Sequence, residues 1–417
     1  MNIRYLFLIL QALSFLTPLP AFSKTEISFI VPSGATSSLG RFFSQLSRDF
    51  EAEHKDVKIN YMPKGSYNSA LDLVLSNSQK SRGVVIIEIS ELLTMKDNKS
   101  IIPLDQFFSK NEKKEYLAKF IPGFLENSYD DKGILYGMPL MRSTTMIFYN
   151  ADHLKSIGVS RKNLPETWDQ LAAMLAKLKE KNNRAPLLLA SDWYDWFFES
   201  FVGQAGGRLS NKNNTRVILS SDAAVTALKY WSGLMKKGLM VKNIGSWKST
   251  LKKFIDGKTS VIFYSSGGLN DLDSSKSLNW LTSIMPKKKQ FSVPVGATNI
   301  FVTNGLSKAQ QKYAIEFVKF FSRPSIQAKI AVNTGYFPVT DEAFSHPLLK
   351  PKFTKSNFKV AKTQLQYSHA KIMFRKNNDV RVIIKNAIDA VLESNVSAEQ
   401  ALTEAQKKAD KLLGYSR

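Results

Sequence analysis

Short apolar or alternating runs recur along this chain, and each is followed by a stretch whose apolar residues return at helical spacing. No other feature constrains the fold as tightly. Residues 26–31 alternate and read as a strand, after which Leu39, Phe42, Phe43, Leu46 and Phe50 recur every three or four positions. Val57, Ile59 and Tyr61 alternate as a second strand, and Lys64, Gly65, Ser66 and Tyr67 form a turn into a helix bearing Leu71, Leu73 and Val74. Residues 84–87 are an unbroken β-branched run, suited to a buried strand of a parallel sheet. Strand and helix alternating in this way predict helices layered on a sheet, an α/β architecture.

The pattern continues. Residues 146–149 read as a strand, with Arg142, Ser143, Thr144 and Thr145 just before it, and a short helix from Asp152 is stopped by Gly158. Thr167 and Gln170 stand at capping-box spacing ahead of a core face of Leu171, Met174, Leu175 and Leu178. Residues 222–237 read as a helix stopped by Gly238, Ser307 and Gln310 cap another that runs to Phe321, and residues 380–413 are largely helical. With no internal repeat and no long linker, repeated α/β units fit two lobes whose chain crosses between them more than once.

The first residues read as an export signal. Arg4 supplies the positive charge, residues 5–16 are apolar, Pro18 and Pro20 break the run, and Ala21-Phe22-Ser23 is a small-x-small cleavage site. Cleavage near Ser23 would leave an exported, soluble protein that begins at Lys24 and does not span a membrane. The chain has no Cys, which excludes disulfides, thiolate metal sites, cysteine nucleophiles and a lipid-modified terminus. Formal net charge is +23, an excess that favours anionic partners. The basic residues are scattered, with Lys287-Lys288-Lys289 the tightest run, so no nucleic-acid partner is expected.

Catalytic signatures are absent. The four histidines, His54, His153, His346 and His369, are not at metal-ligand spacing, and there is no G-x-S-x-G, H-E-x-x-H, P-loop or dinucleotide fingerprint. Asp192, Asp195 and Glu199 could form an acid/base pair, although an acid-rich helix start is the better account of them. No enzyme activity, cofactor or metal is expected. What remains is a series of residues suited to a small polar ligand. Tyr67 sits in a turn, Trp193 and Trp196 flank a helix start, and Ser265-Ser266-Gly267-Gly268 follows a strand. Gly296-Ala297-Thr298 precedes another strand, and Asn333-Thr334-Gly335-Tyr336-Phe337-Pro338-Val339 makes a rigid turn that carries two rings. Small hydroxyl and glycine residues at strand ends expose backbone N–H groups that bind anions.

In this order the motifs resemble those of the family 1 extracellular solute-binding proteins of ABC importers, over nearly all of the chain from Glu26. The landmarks are Lys64-Gly65-Ser66-Tyr67, Gly137-Met138-Pro139 through Arg142-Ser143-Thr144 to Phe148-Tyr149-Asn150, Leu164-Pro165-Glu166-Thr167-Trp168, and Gly335-Tyr336-Phe337-Pro338. The resemblance implies a two-lobed, type II periplasmic binding fold, with a ligand cleft between lobes joined by crossover strands. Residues 24–140 and 300–341 would form the N-terminal lobe, and 141–299 and 342–417 the C-terminal lobe. It is strongest to the branch that binds glycerol phosphates, which implies an anionic polyol as ligand, an inner-membrane permease as partner and a monomeric state. Carried over residue by residue, it assigns ligand contacts to Tyr67, Ser143, Trp193, Ser265, Gly296, Tyr336 and Arg381, with Trp196 nearby. An acidic residue is expected after the strand at 84–87. Ile89 falls at that position, flanked by Glu88 and Glu91, and Glu91, at the following helix start, is favoured. Arg142 offers a second guanidinium for a phosphate. A neutral sugar is the alternative ligand, and an exported basic protein that binds anionic surfaces a remote one.

Overall fold

The structure, a computed structural model, describes residues 24–182, 185–190, 192–211, 216–243, 245–394 and 396–415. The export signal expected over residues 1–23 lies outside them. Ten strands are formed among the described residues: β1 (Thr25–Val31), β2 (Val57–Pro63), β3 (Gly83–Glu88), β4 (Gly137–Asn150), β5 (Leu187–Ala190), β6 (Met240–Asn243), β7 (Val261–Ser265), β8 (Trp280–Ser283), β9 (Val293–Val302) and β10 (Ser368–His369). Along the sheet the order is β2-β1-β3-β9-β4-β7-β5-β6, with β8 on β4 and β10 on β9. Two parallel units, β2-β1-β3 and β7-β5-β6, form the first and second lobes. Antiparallel β9 and β4 run between them, β9 pairing β3 and β4 pairing β7.

Side chains alternate across each strand, and the cores follow that period of two. In β1, Ile27, Phe29 and Val31 enter one core and Ile30 another, and in β3 Val84 and Ile86 separate from Val85 and Ile87 in the same way. Further along, Met146 and Phe148 continue the first core beneath the second lobe, while Ile147 and Tyr149 join a third core with Phe201, Trp231 and Phe263. The expected buried run at 84–87 is β3, every residue of which is buried.

Helix ends follow the expected signals. Thr167 and Gln170 exchange side-chain-to-backbone bonds of 3.2 Å in both directions. Ser307 and Gln310 form a second capping box at the head of Lys308–Phe321.

The crossovers differ from the sequence reading. Residues 142–145 and 296–298, expected before strands, lie inside β4 and β9, and β4 is 14 residues long. The reason is polarity. Arg142, Ser143, Thr144, Thr145, Thr298 and Asn299 are all buried and lie in register with neighbouring strands, the Arg142 backbone groups bonding Phe337. Hydrophobic periodicity cannot mark such a segment as a strand.

Candidate ligand-binding cleft

A cavity of about 610 Å³ opens where the strands of both lobes end. Each wall segment follows the carboxyl end of a strand, the usual place for a ligand in an open α/β sheet. Gly65, Ser66 and Tyr67 follow β2, Glu88 is the last residue of β3, and Asp192, Trp193 and Trp196 follow β5. Ser246, Trp247 and Lys248 follow β6, and Ser265 is the last residue of β7. The floor is the crossing of β4 and β9, where Ser143 is paired with Gly296 and Arg142 with Ala297. Tyr336 closes one side.

Close approach requires glycine at two of these places. A Cβ on Gly296 would lie 2.6 Å from the Trp196 indole, so the ring rests on bare backbone. Gly335 ends the helix Pro324–Thr334 with φ of 79°, and a Cβ there would meet the Gly267 carbonyl at 2.8 Å. The turn then returns along β4: the Phe337 N–H donates to the Arg142 carbonyl at 2.8 Å, which aims Tyr336 into the cavity. Ala297 has φ of 86°, an uncommon conformation for alanine that costs about 1–3 kcal/mol and concentrates at functional sites.

A second chamber of about 400 Å³ shares Tyr67, Glu88, Asp192 and Trp193 with the first, and adds Glu91, Arg381 and Lys385. Charges are arranged around the Trp193 ring that separates the two. Lys371 Nζ lies 5.0 Å from its centre and the Arg381 guanidinium 4.4 Å. Lys371, in the main cavity, pairs with Glu88 at 3.0 Å, and both side chains are almost wholly buried. Arg381 pairs with Asp195 at 2.7 Å. Burial alone would raise the Asp195 carboxyl, but Arg381 outweighs it and holds it below the usual range. Burial and the neighbouring Glu88 raise Glu91. Tyr67 is held well above its ordinary value by burial, Tyr336 and Glu88. Glu199, deeper in the same cluster, is pushed up to about 8 by burial, against the pull of Lys371. The Trp196 indole N–H, Asp192 Oδ1 and Glu91 Oε2 are buried without partners among the described residues. Ser143 and Ser265 line the main cavity together with Trp196 and Asp192. The site therefore offers donors, acceptors and cations around aromatic faces, which suits a small polar solute.

Tyr67, Ser143, Trp193, Trp196, Ser265, Gly296 and Tyr336 come together in the main cavity, and Glu91 and Arg381 in the adjoining chamber. Glu88, rather than Glu91, reaches both, because it is the last residue of β3 while Glu91 turns away to bond Asn377 at 2.7 Å. Arg142 reaches neither chamber and corrects the expectation of a second phosphate guanidinium. It lies on a continuous strand next to Ser143, so its side chain points to the opposite face. There it donates to the carbonyls of Met141, Phe124 and Thr298 and to Asn299 Oδ1, at 2.6–2.9 Å. Burial pulls its pKa down to about 9. Lys371, Trp247 and Lys248 were missed. The signal for Lys371 is a lone lysine in Ala370-Lys371-Ile372-Met373-Phe374, a charge that an apolar run can hold only beside a partner.

Two α/β lobes joined by long crossover strands, with a polar cleft at the strand ends, define a binding protein for a small solute. The chain belongs to the bacterial extracellular solute-binding protein family, whose profile matches residues 45–357. It is the substrate-binding component of an ABC importer. The sn-glycerol-3-phosphate-binding periplasmic protein UgpB of Yersinia enterocolitica is 26% identical over an alignment covering 94% of this chain and 93% of its own. UgpB of Escherichia coli K12 is 25% identical, with 90% of each chain covered. Among solved structures, UgpB from Mycobacterium tuberculosis in complex with glycerophosphocholine superposes with a TM-score of 0.81 at 17% identity, covering 94% of this chain and 99% of its own. The GacH receptor of Streptomyces glaucescens, solved unliganded and with acarbose, gives 0.80 at 19%, covering 94% and 100%. At these identities the two structures establish the two-lobed fold alone. Among the described residues no helix is long and apolar enough to cross a membrane.

Proposed function

We propose that this protein captures a phosphorylated polyol, sn-glycerol 3-phosphate or a glycerophosphodiester, in the periplasm and delivers it to an inner-membrane permease. The chain is exported by the segment cleaved near Ser23 and acts as a monomer without enzymatic activity, its lobes divided at the boundaries given above. The observation that carries the reading is a buried cation in a cavity lined by hydroxyls. Lys371 faces the same space as Ser143, Ser265 and the Gly296 backbone, and its partner Glu88 stands where polyol hydroxyls need an acceptor. A phosphate entering there meets Lys371 and two serines, while Glu88 and the tyrosines turn to the hydroxyls and Trp193 packs on the carbons. Charge-assisted bonds of this kind contribute about 1.5–3 kcal/mol each. Curated relatives named for glycerol 3-phosphate over most of the chain support the same ligand.

A neutral sugar is the second reading, favoured by the density of rings: Tyr67, Trp193, Trp196, Trp247 and Tyr336 all line the cavity. Titration calorimetry with glycerol 3-phosphate, glycerophosphocholine and maltose separates the two. Heat with a phosphate ligand, lost in Lys371→Met, is the expected result. Heat with maltose alone would remove the phosphate reading and leave the family assignment intact.

A further inference from the structure

Between β10 and the helix Asn377–Glu393, which packs in the second-lobe core, the chain runs as a strap between the two lobes, and its residues take turns. Lys371 pairs with Glu88, and its backbone N–H and carbonyl are bonded by the Asn127 amide at 3.0 and 2.8 Å. Met373 is buried in the first-lobe core with Ile30, Leu71 and Val85. Arg375 reaches Asp97 and Asp131, the latter at 2.8 Å, and Asn377 bonds Ser90 at 3.0 Å and Glu91. These odd-numbered residues all grip the first lobe. The even-numbered ones grip the second. Ile372 packs on the second-lobe core and its N–H donates to Glu199 at 2.9 Å, Phe374 is buried in that core, and Lys376 donates to the Leu412 carbonyl at 3.2 Å. A period of two on an extended chain puts successive side chains of residues 371–374 on opposite sides, here in opposite lobes, and a turn at Arg375 and Lys376 then leads into the helix.

We propose that residues 370–377 are a clasp that couples ligand capture to closure of the lobes. The odd-numbered contacts exist only while the first lobe is held against the strap, so they favour the closed arrangement over any open one. Lys371 belongs both to this row and to the cavity wall. An anion bound between the Lys371 ammonium and the first-lobe residues Ser66 and Tyr67 adds a bridge that ties the strap, and with it the second lobe, to the first. The clasp rests on the reading of Lys371 as the ligand's cation, but its other contacts lie outside the main cavity and can be tested separately.

Met373 and Arg375 line neither ligand chamber. The protein has no cysteine, so Lys55→Cys and Lys177→Cys, one exposed site in each lobe, accept a unique pair of spin labels. In this background Met373→Ala and Arg375→Gln are each expected to weaken glycerol 3-phosphate binding about tenfold, within the usual range of coupling between sites. They are also expected to shift the distance distribution of the ligand-free protein away from its shortest component. Unchanged affinity, or weaker binding with an unchanged distance distribution, overturns the clasp. If Met373→Ala fails to fold, half-exposed Arg375→Gln decides. If the parent protein binds maltose and no phosphate ligand, the phosphate reading fails, and the same comparisons made with maltose decide the clasp.

Discussion

Four residues concentrate the site's energetics. Lys371 and Glu88 are a buried ion pair, and removing one member of such a pair costs about 3–5 kcal/mol because the other charge is left without a partner. Lys371→Met is therefore expected to lower the unfolding free energy by that amount in urea titration, and Lys371→Met with Glu88→Gln to recover most of it. Glu199 adds a pH dependence. Its carboxyl ionises near 4.5 in the unfolded chain and at about 8 in the fold, so across that window the folded protein keeps a proton that the unfolded chain releases. Stability contributed by protonated Glu199 is thus lost as pH rises from 4.5 towards 8, and Glu199→Gln should flatten this part of a melting-temperature profile. Gly296→Ala forces the Trp196 ring off the crossover strand, with an overpacking cost of about 1–3 kcal/mol and loss of ligand binding by calorimetry.

At the level of elements, the legible parts were those with an apolar period or a cap. β1, β2, β3 and the helices opened by Thr167 and Ser307 were read from sequence because burial there is one-faced or purely aliphatic. The crossover segments were not, since buried arginine, serine, threonine and asparagine take the place of apolar residues. The same blindness misplaced Arg142: a guanidinium beside a cleft serine reads as a cleft group until a continuous strand sends it to the other face. The turn after Thr334 was legible as a turn, and its strain can be measured. Gly335→Ala must adopt φ of 79° against the Gly267 carbonyl and should cost about 1–3 kcal/mol, with the unfolding midpoint falling and Tyr336 displaced from the cavity.

For the whole molecule, ligand and fold are linked. A ligand that binds only the folded, two-lobed form adds about 2.7 kcal/mol at a hundred times its dissociation constant. Glycerol 3-phosphate at that excess should raise the melting temperature, while equal ionic strength of sodium chloride should not. The sequence by itself determined the layered α/β class, the family, the turns that carry Tyr67, Ser265 and Tyr336, and the lack of any thiol chemistry. Each of these depends on local periods and on residue types that act within a few positions. Only the tertiary structure decided which acid and which buried cation line the cleft. Glu88 and Lys371 are 283 positions apart. Whether a charge in either place is buried, paired or free depends on strand register and on a strap that reaches across lobes, and neither leaves a periodic trace in the chain.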